Sequence, residues 1–431
     1  MKKKQEKPDN FLGTKTASIA LILIIFISIF SVHRNGSYNQ SGDSRWSIPT
    51  ALSLINEGNA NLDEFSEIVQ ANSNECVNEF GGHLYTIFPI GVSIIALPFV
   101  FIFNSELIQQ ISMFPQQSRQ IFASMEITIS AFVIALAGVM VFLIARKHLN
   151  IRYSLLLVFV FAFCTSAWST ASRALWQHGP SMLMLLVSLY LTILAKNKQS
   201  VIQFVSIPLI FSYVIRPTNS VSIILLSIFV LMQYRRYSIK YLLWGLSVVI
   251  PFLIYNYNVY QFLLPPYYLP GRIGSNPQFF EALAGNLISP GRGLFVFSPV
   301  LLLAIVGIIL KVKGKQVEKL DLFLIGIIVL HWITISSFPL WTAGWSFGPR
   351  FFSDMIPYFI YFLIPVLAKI SKLRGLTKSA CLSGLTLLVA VSFFIHFRGA
   401  TDVQTFLWNA DVDGNIAKIW SWRDLQFLRG F

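Results

Sequence analysis

The chain has 431 residues, 55% of them hydrophobic, 15% aromatic and only 12% charged, which is too apolar for a soluble domain and specifies an all-α, polytopic membrane protein. A net charge of +14 does not indicate nucleic acid here, because Lys and Arg stand in short clusters between apolar runs, as membrane orientation demands. Of three cysteines, Cys164 and Cys381 lie in apolar runs and Cys76 in a polar loop, so neither a disulfide framework nor metal-ligand spacing is present.

In chain order, Lys2-Lys3-Lys4 precede an apolar run at 16–32 with no small-residue cleavage site, which reads as a signal anchor with its N-terminus inside. The following outer loop, 34–84, opens with Asp43. Ile48, Ala51, Leu52 and Ile55 then form one apolar stripe, predicting a juxtamembrane helix over 47–57 on the membrane surface. Ser47 is expected to cap it, Pro49 to sit in its first turn and Gly58 to end it, leaving Asp43 in the loop just before.

Further apolar runs lie near 121–145, 153–168, 180–195, 201–215, 218–233, 241–258, 294–310, 320–338, 351–369 and 378–395. The positive-inside rule places Arg146-Lys147, Lys196/Lys198, Arg235-Arg236 and the clusters at 311–319 and 369–378 in the cytoplasm. The run at 85–104 breaks this parity if it crosses, and it contains Pro89, Gly91 and Pro98, so it is expected to be re-entrant or interfacial. The reading is about 11 crossings, with a cytoplasmic N-terminus at 1–15, a transmembrane domain at 16–395 and an extracytoplasmic tail at 396–431.

This topology separates the basic residues. Sixteen of seventeen lysines fall inside, whereas eleven of sixteen arginines, Arg272 among them, fall outside with fifteen of nineteen acids. Arginines on several outer loops suit phosphate, whose oxygens a guanidinium binds bidentately, although snorkelling and pairing with outer acids also account for them. No Walker loop, dinucleotide fingerprint or nucleophile elbow is present.

In its order of an acid after the first span, an amphipathic juxtamembrane helix and the proline-bearing segment 85–91, the chain resembles the membrane-embedded C-superfamily (GT-C) of glycosyltransferases, which includes protein O-mannosyltransferases and aminoarabinose transferases. The stretches SRALWQHGP (172–180), IRPTN (215–219), SPGRGLFVFSP (289–299) and GWSFGPRFF (344–352) look like motifs of bacterial relatives in that superfamily. The resemblance implies an inner-membrane enzyme that transfers sugar from a polyprenyl-phosphate donor to an extracytoplasmic lipid, glycan or protein acceptor, with inversion. It leaves a divalent metal open, and Ser44 stands where relatives often carry a second acid.

Such transfer needs a base for the acceptor hydroxyl and neutralisation of the departing phosphate. Asp43 is the candidate base, against the alternative of a solvated carboxylate paired with Arg45 or capping a turn. Arg45, His83, Tyr85, Arg173, His178, Arg292 and Arg350 are the candidate donor- or substrate-binding residues. Arg350 has a rival role as the i, i+4 ion-pair partner of Asp354. Glu126, seven residues beyond Arg119 in a span, is a candidate cavity acid. Trp176, Trp341 and Trp345 are candidates for stacking on sugar, or members of the aromatic belt. The rival functions are a lipid-linked sugar transporter or flippase, and a noncatalytic scaffold.

Overall fold

The computed structural model describes residues 15–39, 42–73, 75–268 and 276–431. The cytoplasmic segment expected at 1–15 lies outside them except for Lys15, and so does Arg272. The apolar runs fold into helices because no other backbone satisfies its own polar groups in hydrocarbon. Among the described residues, seven helices are long and apolar enough to span a bilayer. The protein is thus an all-α membrane protein, with one antiparallel hairpin, β1 (Val77–Phe80) and β2 (His83–Thr86), paired from Val77 opposite Thr86 to Phe80 opposite His83.

Several expected spans are shorter than their apolar runs. The 201–215 and 218–233 runs give the α-helices Ser206–Ile215 and Ser220–Gln233, each preceded by a 3₁₀ segment. The 294–310 run divides at Ser298-Pro299 into Leu294–Phe297 and Leu302–Lys313. Proline has no amide proton to continue the ladder, so hydropathy runs through a point where the helix does not.

The juxtamembrane helix forms at Ser47–Asn56, but differs from the expected surface helix. Its N-cap is Trp46, without a side-chain bond, and residues 47 to 53 are all buried. Asp43 sits in a short helical turn, Gly42–Arg45, rather than in a loop. The reason is tertiary. The helix Gly91–Met113 packs beside it, Ile48, Ala51 and Leu52 sharing a core cluster with Val92, Ala96 and Val100, and Asn56 Nδ2–H bonds to Asn104 Oδ1 at 3.1 Å, so Ser47 and Ser53 are enclosed while Asn56 and Glu57 stay exposed. Gly91–Met113 is itself continuous through Pro98 and long enough to span, so the expected break in the 85–104 backbone is confined to the residues before Gly91.

The helix Ile356–Lys372 is the centre of the bundle, with 12 of its 17 residues buried. Its flank against Leu302–Lys313 is so close that a Cβ on Gly307 would lie 1.8 Å from the Phe362 carbonyl oxygen. A 3₁₀ turn, Arg350–Met355, heads this central helix, and Lys369 and Lys372 close its other end. Seventeen α-helical residues separate the arginine-bearing end from the lysine-bearing end, a rise of roughly 25 Å.

Candidate functional site at the head of the central helix

The loop before Arg350 passes through left-handed backbone at Ala343 (φ 64°), Gly344 (φ 57°) and Gly348 (φ 60°), a region that costs the two glycines nothing. Glycine is also required at 348 for space, since a Cβ there would stand 2.6 Å from the Phe297 ring. This constrained turn presents Arg350. Its Nη1–H donates to Asp43 Oδ2 at 3.0 Å and its Nη2–H to the Ala343 carbonyl at 2.9 Å. The guanidinium carbon lies 5.1 Å from the Trp176 ring centroid, within cation–π range. Asp43 and Arg350 are 307 positions apart in sequence, and their side chains remain 34% and 12% exposed.

Behind this pair lies a second, fully enclosed one. Asp354 Oδ2 is 2.6 Å from Arg216 Nε. It is a charge contact rather than an aligned hydrogen bond, because neither carboxylate oxygen has a partner in hydrogen-bond geometry. Arg216 Nε–H donates to Thr218 Oγ1 at 3.0 Å. His178 Nδ1 stands 3.8 Å from Asp354 Oδ1, too far for a hydrogen bond, and His331 Nε2–H donates to the Phe351 carbonyl at 2.9 Å. The Phe351 ring has Arg216 and Arg350 at 5.7 and 5.9 Å from its centroid.

The expected Arg350–Asp354 pair is therefore replaced by Arg350–Asp43 and Asp354–Arg216. At three residues per turn, the 3₁₀ geometry places position i+4 about 120° around the axis, rather than on the face it would share in an α-helix. The alternative Asp43–Arg45 pair is likewise replaced. Arg45 Nη1–H donates to Glu75 Oε2 at 2.5 Å, and Trp46 Nε1–H to the Glu75 carbonyl at 2.8 Å.

The other candidates divide by what their polar atoms already hold. His83 and Tyr85 belong to β2. His83 Nδ1 lies 2.6 Å from Asp63 Oδ2, and the Leu84 amide donates to Asp63 Oδ1 at 2.9 Å. Burial raises the Asp63 carboxyl, but the Leu84 amide and His83 outweigh it and hold the group below the usual carboxylate range. Tyr85 packs 6.2 Å from Tyr260, and burial, then the Asp63 charge, raise its phenol.

Arg173 is fully buried and donates to the carbonyls of His33, Ser37 and Ala400 and to Ser172 Oγ. Arg292 is equally enclosed, donating to the carbonyls of Gly291, Thr342 and Gly344 and to Asn409 and Gln426. Both guanidiniums tie loops together. Glu126, with no exposed surface, accepts from the Leu175 amide at 3.2 Å and the Tyr38 hydroxyl at 3.3 Å, bracing the end of the first helix against the 172–177 loop. Trp341 packs over Gly285, and Trp345 lies edge-on to Phe406 at 5.6 Å.

Two surface concavities lie elsewhere. One, of 240 Å³, runs between the Gly91–Met113 and Ser118–Ala145 helices, and one, of 310 Å³, lies beside Lys196, Glu318 and Lys319. Among the described residues no group of three or more His, Cys, Asp or Glu side chains converges as metal ligands. No family model, curated protein or solved structure matches the chain.

Sequence reasoning named Asp43, His178 and Arg350 but passed over Arg216 and the buried role of Asp354. The signal was available, since an acid four residues into an apolar run must face protein or a wet cavity.

Proposed function

We propose that the chain is an integral-membrane glycosyltransferase of the GT-C type that takes sugar from a polyprenyl-phosphate donor at an extracytoplasmic site in a bacterial inner membrane. The observation that supports this is the Asp43–Arg350 pair, an acid and a guanidinium 307 positions apart, partly open and backed by a buried ionic pair. A lipid phosphate competes with the Asp43 carboxylate for Arg350, since both present oxygens to the same fork. When phosphate takes Arg350, Asp43 is released next to the reacting centre. Its carboxylate accepts the acceptor hydroxyl proton, the acceptor oxygen bonds to the anomeric carbon, and the bond from that carbon to the phosphate oxygen breaks. Arg350 holds the charge left on the polyprenyl phosphate. A single displacement of this kind inverts the anomeric centre.

The test is a deletion strain. It is expected to accumulate a polyprenyl-phosphate sugar by mass spectrometry, with wild type clearing the pool and Arg350→Lys failing to, because Lys keeps the charge but loses the two-point fork. Clearance by Arg350→Lys at the wild-type rate removes Arg350 from phosphate binding, and an unchanged lipid pool in the deletion removes the donor class.

The accompanying topology is about 11 crossings with the N-terminus inside, and the unbroken helix Gly91–Met113 lying along the outer interface with both ends on the outer side. Two contacts support this placement. A Cβ on Gly91 would meet the Val214 carbonyl 2.6 Å away, where the helix leading to Arg216 ends. The helix following Met113 begins near Arg34, whose Nη2–H donates to Ser124 Oγ at 3.1 Å. Cysteines placed singly at Ser105 and Gln116, both exposed, are expected to react with an impermeant thiol reagent in intact cells. Protection until lysis overturns the placement.

A further inference from the structure

The segment that follows the last long helix folds back onto the loop that carries Arg350, and Gln426 is where the two are joined. Gln426 has no exposed surface. Its Nε2 donates to the Ser346 carbonyl at 2.8 Å and the Thr405 carbonyl at 3.0 Å. Its Oε1 accepts from the Gly348 amide at 3.0 Å and from Arg292 Nη1–H at 3.2 Å. Both amide protons and both acceptor lone pairs are thus spent, two of the four bonds going to the loop two and four residues before Arg350. Arg292 extends the same seam, with Nε–H to the Thr342 carbonyl at 2.7 Å and Nη2–H to the Gly344 carbonyl at 3.0 Å. Phe427 then packs edge-on to Phe297 at 5.5 Å, the ring that the Gly348 turn is pressed against.

This loop has two left-handed glycines and no helical or strand ladder of its own between Trp341 and Pro349, so its buried carbonyls and the Gly348 amide depend on partners from elsewhere. The tail supplies them. We propose that the C-terminal segment is a positioning strap, and that Gln426 is a positioning residue which fixes the turn presenting Arg350 to the Asp43 side of the site. Gln426 acts through Arg350 and does not touch substrate. The catalytic half of this inference rests on the proposed transfer reaction, whereas the mechanical half does not.

The test uses the full chain in nanodiscs. Gln426→Leu removes all four bonds at similar volume, and Gln426→Glu keeps an acceptor for the Gly348 amide and Arg292. Amide hydrogen exchange over 344–350 is expected to accelerate about 10-fold or more in Gln426→Leu, by less in the Glu variant, which loses only the bonds donated to the Ser346 and Thr405 carbonyls, and little in the other helices. With a polyprenyl-phosphate sugar as donor, Gln426→Leu is expected to raise donor KM about 10-fold with a smaller change in kcat, and Gln426→Glu to fall between it and wild type. If Gln426→Leu does not accumulate, Gln426→Asn breaks the same bonds by one methylene of reach and carries the same expectations.

Unchanged exchange in the loop overturns the strap, whatever the transfer rate. Faster exchange with unaltered donor KM overturns the link to Arg350. If wild type transfers no sugar, the proposed function falls, and the strap is decided by exchange alone.

Discussion

Asp43→Asn is expected to lower sugar transfer by roughly 100- to 10,000-fold while leaving the protein folded, because loss of a general base costs on that order. The pair it makes with Arg350 is partly open, with Asp43 34% and Arg350 12% exposed, and Asn keeps an oxygen that can accept from Arg350, which the Ala343 carbonyl also holds, so the fold is expected to survive. The structure adds a sharper expectation. Asp43 occupies the same guanidinium that the donor phosphate is proposed to take, so removing its charge removes a competitor, and donor KM should stay level or fall as kcat drops. Were Asp43 only a tether that aims Arg350, the variant would raise donor KM and spare kcat. Initial rates at varied donor concentration in nanodiscs separate the two. Transfer within 10-fold of wild type would take Asp43 out of the chemistry, and a rise in KM alone would reassign it to positioning.

How much of this was legible in the sequence follows from which interactions are local. The helical membrane architecture was, because long apolar runs without charge have only one way to satisfy their backbone in lipid. Span lengths were less so, since hydropathy averages over the Ser298-Pro299 break that ends one helix and starts another. Asp43 and Arg350 were each singled out from their own surroundings, yet their contact joins residues 307 apart, and no periodicity carries that information. The i, i+4 rule favoured Asp354 as the partner of Arg350 because it assumes an α-helix, and the turn there is 3₁₀.

Arg173 and Arg292 show a different limit. Their charge and placement matched a phosphate site, but whether a guanidinium is available depends on which carbonyls surround it. Here the backbone carbonyls come from the first helix and the residues just after it, the last long helix and the Arg350 loop, and the tail adds the amide oxygens of Asn409 and Gln426. The tail itself offered no pattern to read. Its role lies in single residues such as Gln426, whose partners stand 21, 78, 80 and 134 positions away.

The largest effect on stability is expected at Asp354, the carboxylate with no exposed surface behind the site. Asp354→Ala leaves Arg216 charged and enclosed with its counter-ion gone, and breaking a buried pair from one side typically costs about 3 to 5 kcal/mol. The cost arises from the stranded charge more than from the lost attraction. Removing both charges should therefore restore most of the stability, and Asp354→Ala combined with Arg216→Met is expected to melt well above Asp354→Ala alone. Unfolding of a polytopic protein is irreversible, so the comparison is made at one scan rate in one detergent and read as resistance to unfolding. Transfer activity in the double variant then carries separate information. If Arg216 and Asp354 only support Phe351 and the turn at Arg350, the restored fold should restore transfer; if Arg216 also meets the donor, the double variant should be stable and inactive. A single Asp354→Ala variant that unfolds at the wild-type temperature would mean that Arg216 reaches water or another partner, and would remove the buried pair from the account of how Arg350 is held.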